Sequence, residues 1–399
     1  MYSYDDQKAA QTSFRKRNII LISAAVALVV AIALAGTLLV MKFEVAPTPQ
    51  PQTVHLVPDT APRSDEVPFS SHRMLSPTAT SAPTTMTPWG VAFDYARGFV
   101  WVAEPGCEPT PKCPTSFPGI IGQYALSDGS FIQDFKEPTG YSSPLFLALD
   151  KAGHIWFTEP DGDAIGEFDP QSGTWNQWPV KKYSAPFDLT FDTYGNLWFT
   201  EFASNEIGFL NPQTHAVVET PTPTRNSNPY GITIDPHGTI WFTENQDLLG
   251  QIGSFTPTAS GAIKIKEHAV NARRPHLITT DNAGNIWYSV GFTGKVGEFD
   301  PRSGNSKIFL VFLGTCTPTS CTGTHISGID TDSKGNVWFT DALSERVGYL
   351  IPSSGQIIAR TLTTKNAHPA DGIFVDSGDR VWFTEEFAHT LTVWPAHTV

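Results

Sequence analysis

Gly195-Asn196-Leu197-Trp198-Phe199-Thr200-Glu201 is a stretch that the chain writes again and again. Close copies are Ile155-Trp156-Phe157-Thr158-Glu159, Ile240-Trp241-Phe242-Thr243-Glu244, Val337-Trp338-Phe339-Thr340-Asp341 and Val381-Trp382-Phe383-Thr384-Glu385. Val100-Trp101-Val102-Ala103-Glu104 and Ile286-Trp287-Tyr288-Ser289-Val290 are looser ones. Tryptophans 101, 156, 198, 241, 287, 338 and 382 mark seven copies. A recurrence at about 40–50 residues is the mark of a repeat architecture.

Each unit has further parts. It opens on Pro-x-Gly-Ile-x-x-Asp, as in Pro229-Tyr230-Gly231-Ile232-Thr233-Ile234-Asp235. A turn follows, then the Trp-Phe-Thr-Glu strand, then Ile-Gly as in Ile165-Gly166, and a last variable strand after a turn such as Asp300-Pro301-Arg302-Ser303-Gly304. Every part is strand length and every break carries turn residues. Four antiparallel strands per repeat predict an all-β, seven-bladed propeller over residues 69–399. Along the repeated strand Trp and Thr face one side, Phe and Glu the other. Aromatics on both faces suit a sheet sandwiched between neighbours. The seventh repeat all but ends after Leu391-Thr392-Val393-Trp394, one strand short. Ser71-His72-Arg73-Met74-Leu75-Ser76-Pro77 resembles the missing strand, so the N-terminal segment is expected to close the ring and leave no open edge.

Composition agrees with short strands and tight turns: 16% charged, 12% aromatic, 32 Gly and 32 Pro in 399 residues. A net charge of −13 excludes a nucleic-acid binder, which needs a basic face. Residues 1–18 are polar and end in Arg15-Lys16-Arg17; Ile19 to Met41 carries no charge until Lys42. That predicts a cytoplasmic tail (1–18) and a transmembrane anchor (19–41) with the remainder outside the cytoplasm. The rival is a cleaved signal peptide ending near Ala33-Leu34-Ala35. Residues 42–68 read as a Pro/Thr-rich linker. Cys107/Cys113 and Cys316/Cys321 each bracket a short Pro/Thr insert, which reads as two local disulfides or, alternatively, as one four-thiolate zinc site.

The string Pro-x-Gly-Ile, Asp-x-x-Gly-Asn-x-Trp-Phe-Thr-Glu, Ile-Gly resembles the virginiamycin B lyase (streptogramin lyase) family over about residues 70–399. The resemblance implies a seven-bladed propeller. In active members it implies Mg2+-dependent opening of a cyclic depsipeptide antibiotic by elimination at its ester bond. The family's first working His, after the Pro of the sixth repeat, falls at Ser327, its second at Asp371, and the Glu before that at Pro369. Only the last Glu matches, at Glu386. Shifting back one repeat brings His276 into line, but the others become Ser327, His325 and Ala342.

The start of each first strand and the end of each second strand share one face of the ring. That mouth gathers Trp89, Leu145, Phe187, Tyr230, His276, Ser327 and Asp371, and both cysteine inserts map there. His276 is a candidate base or ligand for a substrate, or a polar lining residue. Asp371 and Glu386 are candidate ligands of a divalent cation such as Mg2+. His325, His368 and His389 read as surface or loop residues. The acids Glu104, Glu159, Glu201, Glu244, Asp341 and Glu385 form either a cation-binding ring or, as expected for so regular a feature, acceptors for their own loops. Catalytic candidates are thus His276 and Asp371; ligand-binding candidates are Trp89, Phe187, Tyr230, His276 and Ser327. The expected protein is a membrane-anchored, monomeric propeller that binds a small molecule or cell-envelope partner at its mouth without lyase chemistry. The alternative is a metal-dependent carbon–oxygen lyase, or a hydrolase, acting on a cyclic peptide or ester.

Overall fold

The structure, a computed structural model, describes residues 70–73, 87–106, 119–138, 140–247, 250–311 and 323–394. The expected 1–18 tail and 19–41 anchor, the expected linker 42–68, and Cys107, Cys113, Cys316 and Cys321 lie outside the described residues. Among those described, no helix is long and apolar enough to cross a membrane.

Seven four-stranded antiparallel sheets make an all-β, seven-bladed propeller. Blade three shows the plan. Its first strand is Pro186–Phe191, its second Leu197–Glu201, its third Glu206–Leu210 and its outermost Val217–Pro221. Blades one to six draw four consecutive strands from the chain. Blade seven has Pro369–Val375, Val381–Glu385 and Thr390–Trp394, and its fourth strand is Ser70–Arg73. That strand pairs antiparallel with the third, from Ser70 opposite Val393 to Arg73 opposite Thr390.

The repeated motif follows from three local devices. First, the Asp ending each first strand stands six residues before the Trp and accepts its indole N–H through Oδ2. The distances are 3.2 Å for Trp156–Asp150, 2.8 Å for Trp198–Asp192, 2.9 Å for Trp241–Asp235, 3.0 Å for Trp287–Asp281, 3.0 Å for Trp338–Asp332 and 2.9 Å for Trp382–Asp376. Oδ1 of the same carboxylate accepts backbone N–H groups of the turn, as Asp192 does from Tyr194 and Asn196. One side chain thus satisfies both the turn and a buried indole. Blade one spaces its pair by seven, Asp94 to Trp101; Asp94 binds Arg97 instead, and the Trp101 indole N–H is buried without an acceptor.

Second, the Gly of Ile-Gly lies directly opposite the Phe of the second strand, as Gly208 opposite Phe199 and Gly253 opposite Phe242. The ring folds over the glycine; a Cβ at Gly208 would stand 2.0 Å from Phe199. Third, the Thr of Trp-Phe-Thr-Glu joins neighbouring blades, and this device builds the mouth.

Candidate functional site

Thr158 Oγ1 donates to the Phe187 carbonyl of the next blade at 2.7 Å, Thr200 to Tyr230 at 2.6 Å and Thr243 to His276 at 2.5 Å. Ser289 donates to Ser327 at 2.5 Å and Thr340 to Ala370 at 2.5 Å. Thr384 reaches the Trp89 carbonyl at 3.4 Å and so links blade seven to blade one. Most of these hydroxyls also accept an N–H of their own blade, such as Gly231 N to Thr243 at 3.0 Å and Gly328 N to Thr340 at 2.8 Å. Each is fully buried, and each holds the backbone of the next blade's mouth residue. Where blade one has Ala103, the link to blade two is missing.

The side chains held this way fill the axis. Trp89 meets Phe187 edge-on at a centroid distance of 6.3 Å, and Phe187 lies against Tyr230 at 3.9 Å. Tyr230 lies 4.1 Å from His276, which lies 5.3 Å from His325. In blade two it is Phe146, not Leu145, that offers a ring to Trp89 and Phe187, at 6.2 and 5.5 Å. Leu145 is wholly buried.

Asp371 closes this arc from the far side. Its Oδ2 accepts the Tyr230 hydroxyl at 3.0 Å, its Oδ1 accepts the Ser327 hydroxyl, and His276 Nε2 stands 3.6 Å from Oδ1. Its place depends on a register the motif does not announce. In blades three, four and six the opening residue of the first strand and the next paired residue are three apart: Pro186 and Leu189, Pro229 and Ile232, Ile326 and Ile329. In blade seven they are four apart, Pro369 and Ile373. Ala370 takes the backbone position that Ser327 holds in blade six, receiving the Thr340 bond, and Asp371 is the extra residue of a bulge. Counting two residues on from the proline reaches Asp371 but hides this. A bulge re-aims a side chain, and here it delivers a carboxyl to the axis.

Burial pushes the Asp371 carboxyl up to about 7, against the opposing pull of the Tyr230 hydrogen bond. Burial, with His325 nearby, holds His276 down to about 3. Its Nδ1 lies 2.9 Å from Asn245 Nδ2, so the neutral ring accepts there and carries its proton on Nε2, towards Asp371. The 3.6 Å approach is therefore not an ion pair at neutral pH. Asp188, another buried carboxyl raised to about 7 by desolvation, accepts the Leu189 and Ile232 N–H groups.

His325 and His368, read from the sequence as surface or loop residues, belong to the mouth. His325 stacks on Phe292 at 4.4 Å and 7°, and His368 on Phe387 at 4.1 Å and 10°. His368, at φ 45°, directs Nε2 to within 3.8 Å of Glu386 Oε2. Phe292, Leu343 and Phe387 are about half exposed. All three stand two residues past the end of the second strand, in blades five, six and seven; the same position holds Asp161, Ala203 and Gln246 in blades two to four. That positional contrast was present in the sequence and is the signal by which the patch was findable.

The repeated acids bind within their own surroundings. Glu159 accepts the Ser142 N–H at 2.8 Å and the Gln177 amide at 2.6 Å, Glu104 the Tyr124 hydroxyl at 3.2 Å, and Asp341 the Thr324 hydroxyl and His325 N–H at 2.9 Å. These bonds engage both oxygens of Asp341 and one oxygen each of Glu104 and Glu159 locally, while the other oxygen of those two glutamates, and one of Glu201, Glu244 and Glu385, is buried without a partner.

A profile of the virginiamycin B lyase family matches residues 119–319, just over half the chain. The chain belongs to the virginiamycin B lyase family. No curated protein sequence matches it. Among solved structures this family member is similar to a streptogramin B lyase, at 23% identity and TM-score 0.66, covering 82% of this chain and 96% of that one. It is also similar to a catalytically inactive virginiamycin B lyase from Staphylococcus aureus with quinupristin, at 24% identity and TM-score 0.66, covering 82% and 98%. The extracellular domain of a putative hybrid two-component system from B. thetaiotaomicron matches at 15% identity and TM-score 0.57, over 82% of this chain and 41% of that one. At these identities the likeness carries the propeller fold.

The Mg2+ that the family implies does not fit the residues at the corresponding positions of this family member. Pro369 has no side-chain oxygen, and Ala370, which takes the position of Ser327, offers no ligand atom either. Asp371 already accepts the Ser327 hydroxyl and the Tyr230 phenol, and among the described residues no second carboxylate stands beside it to share an ion. Glu386 faces His368. Among the described residues, the group of three ligand atoms within reach of one ion is Asp150, His154 and Glu167, away from the mouth.

Proposed function

We propose that this protein is a membrane-anchored, extracytoplasmic propeller that binds a small molecule or cell-envelope partner over blades five to seven of its mouth, without lyase chemistry. One observation carries the reading. Phe292, Leu343 and Phe387 stay half-exposed at one loop position in three successive blades, two of them stacked on partly buried imidazoles. Large apolar side chains gathered on one rim of a rigid scaffold favour a ligand with a flat apolar part. Neutral His276 and the histidines beside it supply hydrogen-bond partners for its polar part. The axis behind them is packed with rings, and the family's His and Glu positions are only partly filled here, which argues against elimination. The charge-free 19–41 stretch supports the anchor, and the close spacing of Cys107/Cys113 and Cys316/Cys321 supports two local disulfides in an oxidising compartment.

A small-molecule binding screen on the full-length protein in detergent and on residues 69–399 tests the reading. A hit whose affinity falls about tenfold or more in Phe292→Ala or Phe387→Ala supports it, since each aromatic platform is worth about 1–2 kcal/mol. Metal-dependent turnover of a streptogramin B substrate overturns it.

A further inference from the structure

The turn between the first and second strands, on the face opposite the mouth, is built the same way in most blades. In blades three, five and six the residue four past the Asp is asparagine. Its amide donates to Asp Oδ2: Asn196 at 3.1 Å, Asn285 at 2.8 Å and Asn336 at 2.8 Å. Blade two has His154 there, and a second carboxylate faces it from the third strand. His154 Nδ1 lies 2.8 Å from Glu167 Oε1 and 3.4 Å from Asp150 Oδ2. All three ligand atoms lie within 4.8 Å of one another. A tetrahedral ion held at about 2.0–2.2 Å sets neighbouring ligand atoms about 3.4 Å apart, close to the 2.8 and 3.4 Å at which the two carboxylates stand from His154 Nδ1.

The three ligands are themselves oriented, as outer partners orient the ligands of metal sites. Asn176 Nδ2 donates to the other Glu167 oxygen at 2.9 Å. Asp150 Oδ1 accepts the N–H groups of Ala152, Gly153 and His154 at 2.8–2.9 Å. Asp150 Oδ2 receives the Trp156 indole at 3.2 Å, the longest such bond in the ring, and keeps a lone pair for another partner. Asp150 is partly exposed, whereas the turn aspartates of blades three to seven are buried. His154, at 33%, leaves room for water to complete a coordination shell and a path for an ion to enter.

We propose that Asp150, His154 and Glu167 form a site for a divalent transition-metal ion, with Zn2+ the best match to one imidazole and two carboxylates. It is separate from the mouth and independent of the ligand reading given above. The ion takes the place of the hydrogen bonds between His154 Nδ1 and the two carboxylates, and the neutral ring then carries its hydrogen on Nε2.

The test is calorimetric titration of the chelator-treated full-length protein with Zn2+ alone, with Co2+ absorption as a second probe. One ion per chain is expected. His154→Asn restores the side chain that blades three, five and six use, so it keeps the turn and a melting temperature within about 2 °C. It is expected to weaken binding by about 100-fold. Glu167→Gln is expected to do the same. An absence of Zn2+ binding, or affinity unchanged in both variants, overturns the proposal and leaves His154 as a hydrogen-bonding bridge between two acids.

Discussion

The first and second strands lie side by side in every blade, yet they read differently around the ring. The second strands are near copies: Trp bonded to the turn Asp, Phe over Gly, Thr bonded to the next blade. The mouth positions of the first strands hold Trp89, Phe146, Phe187, Tyr230, His276, Ser327 and Asp371. The second strands repeat because each has the same partners, another blade on either side. The mouth residues face the axis, where the partner is whatever stands opposite, and nothing in the repeat constrains them. Uniformity here marks architecture, and divergence marks the face to which we assign the proposed ligand.

The comparison breaks most severely if the ring cannot close. Deleting residues 69–82 removes the outer strand of blade seven and exposes the edge of Thr390–Trp394. The melting temperature is expected to fall by roughly 10 °C or more, against roughly 1 °C for deleting 44–60. Thermal unfolding of the two truncations decides, and equal values would mean that the uniform strands do not depend on closure.

Blade one offers an internal control for the Trp–Asp device. Asp192→Ala strands a buried indole and two turn N–H groups, and is expected to cost about 3 kcal/mol. Asp94→Ala is expected to cost about 1 kcal/mol, because the Trp101 indole already lacks an acceptor. Urea unfolding of both variants measures the gap.

The buried acids next to the second strands make stability depend on pH. Burial raises Glu201 and Glu244 to about 8 from an ordinary 4.5. A raised carboxyl favours the fold below its unfolded value and loses that contribution as pH climbs through the folded one. Depressed histidines act oppositely: His276, at about 3, and His325, at about 4, favour the fold above 6.5 and lose that contribution as pH falls. With Asp188 and Asp371, raised to about 7, added to these acids, the melting temperature should therefore rise as pH is lowered from 8 to 6.5 and go on rising, less steeply, below. Glu244→Gln should be more stable than the natural chain at pH 8 and approach it only below the ordinary carboxyl value of 4.5. Melting curves across that range test both statements, and a flat profile would place these acids in contact with water.

The smallest effects sharpen the contrast. Thr200→Val loses the bridge from blade three to Tyr230 and is expected to cost about 1–2 kcal/mol. Phe292→Ala, at a half-exposed rim position, is expected to cost under about 0.5 kcal/mol. Chemical denaturation of the pair is the check; a larger loss at Phe292 would make the rim structural.

The fold was largely legible, because each blade is specified locally. The Asp, Trp, Phe, Gly and Thr of one repeat lie within about one repeat of their partners, so periodicity alone exposes them. The site was legible only in part. Trp89, Phe187, Tyr230, His276, Ser327 and Asp371 do meet at the mouth, since alternation along a strand places them there. Phe146 lies one residue from where the motif points. His325 and His368 read as loop histidines because the rings that stack on them, Phe292 and Phe387, come from other segments.

The sequence by itself determined the number of blades, the strand order within each, and the face on which the divergent residues gather, because these follow from short-range patterns of period two and from turn chemistry. Only the tertiary structure decided that Asp371 stands on a bulge, that the phenol of Tyr230 crosses the axis to reach it, and that His154 faces Glu167. Each of these contacts joins residues on different strands or blades, and their distance in space is set by the twist and closure of the whole ring.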